Sequence, residues 1–281
     1  MADESGTAGR PLEGLTFVVT GAARGIGAAV ARRLARDGAR VVAVDRCARH
    51  AVLDYEAATR DELDSVVGSC GNGSVGLVAD VGDRAGLAEA LGGALRGGDG
   101  AGARLGGAVC AAGVIWGGEP LWRTPPEVWQ QLARTNVEGV LNTAAVVIPS
   151  LLDAADTQHP AGAGRFVAVA SASAGRGLPL MGAYAATKAA VVSLVRSMAA
   201  DLGGSGVTAN AVSPGSTDTE ALAASADVYG LAGTEEFARH HTTGRLVQPE
   251  EVAAAVAWLC GPESSGVTGS VVAVDGGMTA T

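Results

Sequence analysis

Leu15-Thr16-Phe17-Val18-Val19-Thr20-Gly21-Ala22-Ala23-Arg24-Gly25-Ile26-Gly27 decides the fold. A short apolar run ends among three glycines and passes into apolar residues at helical spacing that continue to Asp37, the pattern of strand, turn and helix. Glycines in such a turn let backbone approach a ligand closely, and the free amides of the helix start face negative charge, so the turn suits a pyrophosphate. Arg40 to Asp45 repeats the strand signal and ends in a carboxylate, placed to accept hydrogen bonds from adenosine ribose hydroxyls. Gly21, Arg24, Gly25, Ile26, Gly27 and Asp45 are therefore candidate cofactor contacts. Asp45 repels a 2′-phosphate and favours NAD over NADP, while positive charge at Arg24 and Arg46 works the other way.

Further strand signals follow at Val75 to Ala79, Leu105 to Ala111, Arg165 to Ala170, Val207 to Val212 and Ser270 to Val274. Helical patterns lie between them near Leu63 to Ser69, Arg84 to Leu95, Pro126 to Leu152, Gly182 to Leu202 and Pro249 to Leu259. Strands alternating with helices predict an α/β fold with a Rossmann-like, doubly wound, seven-stranded parallel sheet. One domain over 12–281 is expected behind a flexible N-terminus, 1–11. Two stretches are too long for simple connections: 46–60 after the second strand and 216–245 after the sixth. The second has helix-like patterning with Tyr229 and Phe237 and is expected to act as a substrate lid at the carboxyl ends of the strands. Gly92 to Gly107 and Ala154 to Gly164 are expected to be surface loops.

The chain is 48% hydrophobic and 17% charged, enough apolar material for one sizeable core. Its formal charge of -9 excludes the basic footprint that nucleic acid or an anionic membrane would require. No continuous apolar run reaches membrane-spanning length and Met1 to Arg10 holds no signal core, so a cytoplasmic location is expected. Cys47, Cys70, Cys110 and Cys260 form no C-x-x-C pair, which predicts free thiols and no metal site.

Tyr184 and Lys188 stand four apart in a helical pattern, which puts both on one face. A tyrosine is a poor base near neutrality, its pKa about 10, unless a cation favours the phenolate. Lys188 is suited to that task, and it is the only lysine among 20 basic side chains. In an otherwise all-arginine background, a lysine here points to a need for a compact ammonium with rotatable donors. Ser171 precedes Tyr184 by thirteen residues at a strand end, its hydroxyl available to a substrate oxygen, with Ser173 the competing candidate. Asp80-Val81 ends the third strand, where the carboxylate either meets the adenine or caps the next helix.

Together these residues resemble the classical short-chain dehydrogenase/reductase family, from Leu12 to Met278. The resemblance implies a catalytic tetrad of Asn136, Ser171, Tyr184 and Lys188: Tyr184 exchanges the hydroxyl proton, Lys188 binds the ribose and depresses the tyrosine pKa, and Ser171 holds the substrate oxygen. Asn136 would anchor a water in a proton relay through its helix. It further implies cofactor contacts from Val81, Ala111, Ala112, Gly113, Pro214, Gly215, Thr217 and Thr219, a C-terminal motif at Asp275-Gly276-Gly277, and a homotetramer built through the long helices. One departure is Cys110-Ala111-Ala112-Gly113, where the family carries Asn-Asn-Ala-Gly. Asp45-Arg46-Cys47 through Tyr55 to Leu63 resembles the insertion of the mycofactocin-dependent subfamily. That resemblance implies NAD held without exchange, with Arg46 and Cys47 beside it and mycofactocin as electron acceptor; an ordinary surface insertion over exchanging NAD stays open beside it.

Trp116 and Tyr229 are candidate substrate contacts. Trp122 and Trp129 read as core or interface residues. His240-His241 read as surface residues, and Cys47 as a small filler. The expected activity is hydride transfer between NAD and an apolar secondary alcohol or its ketone. A biosynthetic ketoreductase with dissociable NAD(P)H and a non-catalytic NAD-binding sensor are the alternatives.

Overall fold

The computed structural model describes residues 10–53, 55–95, 104–154 and 164–280. The stretch expected to be flexible lies outside these except for Arg10 and Pro11, as do 96–103 and 155–163 of the two expected surface loops. The strands are β1 (Leu15–Thr20), β2 (Arg40–Asp45), β3 (Val75–Val78), β4 (Arg104–Cys110), β5 (Arg165–Val169), β6 (Thr208–Pro214) and β7 (Val271–Val274). They form one parallel sheet in the order β3-β2-β1-β4-β5-β6-β7. The helices are α1 (Gly25–Arg36), α2 (Arg60–Cys70), α3 (Arg84–Leu95), α4 (Pro126–Ala133), α5 (Gly139–Asp153), α6 (Gly182–Asp201), α7 (Glu220–Val228) and α8 (Pro249–Cys260). The doubly wound α/β architecture read from the strand and helix pattern is the one observed.

Side chains of one strand alternate between two apolar layers, because successive residues point to opposite faces of a sheet. Phe17, Val19, Val41 and Ala43 pack with Val30 and Leu34 of α1 and Val252 and Val256 of α8. Val18, Val42 and Val44 face the other way, onto Leu87 and Leu91 of α3, Val147 and Leu151 of α5, and Val191 and Val195 of α6. Each such side chain, fully withdrawn from water, contributes roughly 1.5–3 kcal/mol. Burial on both faces explains why the central strands read as continuous apolar runs. A methyl on Gly107 would lie 2.1 Å from the Arg165 carbonyl oxygen and 2.8 Å from the Phe17 ring, so this strand position has no room for a side chain.

Three local features depart from the sequence expectations. The pattern over Pro126 to Leu152 is not one regular helix: a π-helical turn, Arg134–Glu138, joins α4 to α5. Pro126–Asp153 as a whole is also long and apolar enough to cross a membrane by length and composition. Its Val140, Ala144, Val147 and Leu151 are instead buried against the sheet, as in the core helix of a folded domain. Finally, α3 is capped by Asp83, which accepts from the Gly86 amide at 3.2 Å, and not by Asp80.

Candidate active site

The strand order reverses direction between β1 and β4, and the turns leaving their carboxyl ends separate to leave a crevice, the usual ligand position of such sheets. A cavity of about 660 Å³ opens there. The glycine turn, the ends of β2 and β3, and Ala111 to Ile115 line it, as do Ser171, Tyr184, Lys188 and the segment after β6.

The glycines at the crevice are fixed by space. A methyl on Gly27 would lie 1.9 Å from the Gly21 carbonyl oxygen, and one on Gly21 would lie 2.6 Å from both the amide nitrogen and Cα of Ala112. The turn after β1 therefore touches the turn after β4, and Ala112 also donates to the Thr20 hydroxyl at 3.3 Å. This backbone contact closes the wall at the position where Ala111 replaces the family's amide. Asp45 accepts from the amides of Ala23 at 3.1 Å and Cys47 at 3.3 Å, so its carboxylate is held at the β2 end facing the cavity.

Neither neighbouring arginine pairs with Asp45. Arg24 donates to the Glu56 carbonyl at 2.5 Å, and Arg46 lies 3.9 Å from Asp80 while bonding His50 and the Arg49 carbonyl. Asp80 accepts from the Gly82 amide at 2.8 Å and lies 3.5 Å from Arg134. Val81 is buried, with Gly139 packed against it. The cavity thus offers a side-chain-free cradle suited to a pyrophosphate at one place and a carboxylate suited to a ribose diol at another, a fit to a dinucleotide. Burial, followed by the charge of Asp45, pushes the Cys47 thiol up to about 11, which leaves it unreactive.

At the chemical end, Ser171 accepts from the Ser173 amide at 3.1 Å and from the Ser173 hydroxyl at 2.9 Å. Ser173 is buried, lines the same cavity and bonds Ser171. Lys188 is 5% exposed and donates to the Val169 carbonyl at 2.9 Å, with Nζ 5.9 Å from the Tyr184 ring centroid. The expected depression of the tyrosine pKa is absent in this geometry. Burial pushes the Tyr184 phenol up to about 12, against the Ser171 hydrogen bond and with a smaller upward push from Tyr55. Burial likewise pushes Lys188 down to about 8.

Asn136 sits in the π turn and is 1% exposed. Its Oδ1 accepts from the Val114 amide at 2.8 Å, while Nδ2 donates to the Val114 carbonyl at 2.9 Å and to the Thr187 hydroxyl at 3.0 Å. Thr187 donates in turn to the Tyr184 carbonyl at 2.7 Å. The amide therefore locks the exit of β4 to the helix that carries Tyr184 and Lys188. Gly113 lies over both groups, and a methyl there would be 3.3 Å from the lysine Nζ and 3.4 Å from Asn136 Oδ1.

Sequence reasoning missed several participants. Tyr55, half-buried after β2, accepts the Ile115 amide, and Leu53 packs with Val114, Val128 and Leu132. Thus Leu53 and Tyr55 bring the segment after β2 to the β4 exit. His241 is 4% exposed and not a surface residue: its Nε2 accepts the Ser216 amide at 3.1 Å, and a methyl on Gly215 would lie 2.7 Å from that nitrogen. Pro214, Gly215, Thr217 and Thr219, named from the sequence as cofactor contacts, line the cavity, and Thr219 also packs beside Gly25. Tyr229, against the Phe237 ring, donates to the Pro179 carbonyl at 2.7 Å and ties 216–245 to the loop before α6. Trp116 packs against the Leu53 cluster, and the cavity wall is made by its neighbours Val114 and Ile115. Trp122 is 85% exposed, so the core alternative fails for it. Among the described residues no cluster suited to a metal ion occurs.

A family model described as enoyl-(acyl carrier protein) reductase matches residues 21–279. The chain belongs to the classical short-chain dehydrogenase/reductase family. An uncharacterized oxidoreductase of Mycobacterium tuberculosis is 36% identical, over 96% of this chain and 97% of the relative. A cyclohexanol dehydrogenase of a Rhodococcus species is 35% identical, over 96% and 97%. Among solved structures, the carveol dehydrogenase of Mycobacterium avium in complex with NAD is similar at 28% identity, TM-score 0.88, covering 98% of this chain and 100% of that one. As a member of this short-chain family, the chain is an oxidoreductase of alcohols and ketones.

Proposed function

We propose that this chain transfers hydride between NAD and an apolar secondary alcohol or the corresponding ketone. The observation that carries this is a single cavity in which Ser171, Tyr184 and Lys188 meet the glycine turn and Asp45. Bound NAD supplies the hydride acceptor or donor. Ser171, its orientation fixed by Ser173, holds the substrate oxygen beside Tyr184, and Tyr184 takes or returns the hydroxyl proton. With its phenol pushed up, Tyr184 is suited to donate; in the oxidation direction Lys188, 5.9 Å from the Tyr184 ring centroid, would favour the phenolate and would hold the ribose of bound NAD. Asn136 keeps the two helices in register for that exchange. Leu222, Tyr229, Leu231 and Phe237 make 216–245 an apolar substrate lid. Turnover of cyclohexanol and related alcohols by Tyr184→Phe should fall roughly 10²–10⁴-fold below the unmodified protein, using NAD and an artificial electron acceptor. Equal turnover would overturn the assignment.

The finer reading is that the insertion 46–60 covers NAD so that it stays bound and passes electrons to mycofactocin. Its support is the crossing from Asp45 to Ile115 and the Arg24 bond to Glu56. Mass spectrometry of gently denatured protein should then find near-equimolar NAD, and finding none would end this reading. Exposed Trp129, Leu141 and Leu152 on α4 and α5 support a tetramer through those helices, to be checked by light scattering. The free cysteines, three of them buried, suit a reducing cytoplasm.

A further inference from the structure

We infer that the substrate carries an anionic group, received on the lid side of the cavity by Arg239 and Arg176, an inference that rests on the alcohol chemistry proposed above. Around the lid the wall is apolar, with Leu178, Met181, Leu222 and Phe237, and into this wall two guanidiniums are set. Arg176 follows Ser171 and Ser173 in the chain, and Arg239 lies in the 3-10 turn Thr234–His240.

Both are exposed, so neither guanidinium is held in place by burial. Arg176 uses one nitrogen on the Met278 carbonyl at 2.7 Å, which holds the group while leaving other donors free. Arg239 directs Nε to His240 Nε2 at 3.4 Å, leaving its two terminal nitrogens as a fork of the kind that grips a carboxylate or sulfonate. Neither forms an ion pair among the described residues, in a chain with 29 acidic to 20 basic side chains.

Three acidic residues line this cavity, one of them, Glu220, on the lid itself, while Glu235 and Glu236, in the same 3-10 turn as Arg239, are exposed and do not line it. Asp45 and Asp80 stand at the β2 and β3 ends, and Glu220 shares a neighbouring recess with Arg24 and Gly25. On the apolar wall opposite the cofactor carboxylates, the charged side chains that line the cavity beside Leu178, Met181, Leu222 and Phe237 thus include two guanidiniums, on a chain of net charge -9. A neutral hydrocarbon alcohol would leave those charges without a partner and would exclude some of their water. An alcohol bearing a carboxylate or similar anion gives them one, and pairing there would then help select which hydroxyl meets Ser171 and Tyr184.

Calorimetric titration of the full chain with saturating NAD, comparing cyclohexanecarboxylate with neutral cyclohexanecarboxamide, tests this without relying on turnover. The carboxylate should bind at least about tenfold tighter. Arg239→Gln and Arg176→Gln should each remove most of that advantage, whereas Arg36→Gln, exposed on α1, should retain it. Equal affinity for the two probes, absence of carboxylate binding, or an advantage that survives the double Arg239→Gln, Arg176→Gln variant would overturn the proposal. Turnover of a hydroxycyclohexanecarboxylate, which carries both groups, reads the alcohol chemistry in the same preparation: its absence beside an intact carboxylate preference would overturn that chemistry and support the anion site.

Discussion

The hydroxyl of Tyr55 accepts the amide hydrogen of Ile115 at 3.2 Å, joining the segment after β2 to the exit of β4 across the crevice above β1. Such a bond contributes about 1 kcal/mol net. In Tyr55→Phe, hydrogen exchange at the Ile115 amide should quicken about fivefold. The adjacent Val114 amide, held by Asn136, should be unaffected. Equal acceleration at both would mean that the whole β4 exit loosens and that no discrete latch exists.

Lys188→Met should make the protein stripped of cofactor more stable and far less active. Lys188 is held down at about 8 in the fold against an ordinary value of 10.5. Between those values the unfolded chain binds the extra proton, so stability rises with pH across that window, and below it the buried ammonium exerts its full penalty. The methionine should gain on the order of 1–2 kcal/mol at about pH 7, and less near pH 9.5, in denaturant melts. A loss of stability at about pH 7 would show that the bond to Val169 outweighs desolvation.

Two Gly→Ala substitutions should act in opposite senses. At Gly27 the new methyl meets the Gly21 carbonyl oxygen, so Gly27→Ala should cost at least about 2 kcal/mol and weaken NAD binding. At Gly68, inside α2, no atom lies within 4 Å, and Gly68→Ala should add about 0.5–1 kcal/mol. Thermal melts with and without NAD check both, and a stable Gly27→Ala with unchanged NAD affinity would contradict the contact.

Asp45→Asn removes the charge while keeping an acceptor for the Ala23 amide. The kcat/KM ratio of NADP to NAD should rise at least about tenfold, since the carboxylate no longer repels a 2′-phosphate. Little change would assign the preference to other residues, with Arg46, which lines the cavity 3.9 Å from Asp80, the next to examine.

Much of this was legible before any coordinates. The strands lie between two apolar layers, so their burial is written as unbroken Val and Ala runs, and the glycine turn announces itself by composition. Contacts made between distant segments leave no such trace. Thr187 meets Asn136 across 51 residues, and nothing in its neighbourhood marks it. His241 looked exposed because it follows another histidine. It is buried because the amide of Ser216, 25 residues away, takes it as an acceptor where Gly215 leaves no other room. The π turn was equally hidden, since α and π turns can bury the same apolar pattern.

That turn has a consequence for how the sequence can drift. Each residue added to a helix rotates everything beyond it by about 100°, and a π turn holds one residue more than the regular spiral would. Removing any single residue from 134–138 would leave composition almost untouched. It would nevertheless swing Val140, Ala144, Val147 and Leu151 off the sheet, or else pull Asn136 away from Val114. Point changes in this stretch can be absorbed one at a time, but its length is fixed from both sides, and a one-codon deletion should be more damaging here than most substitutions.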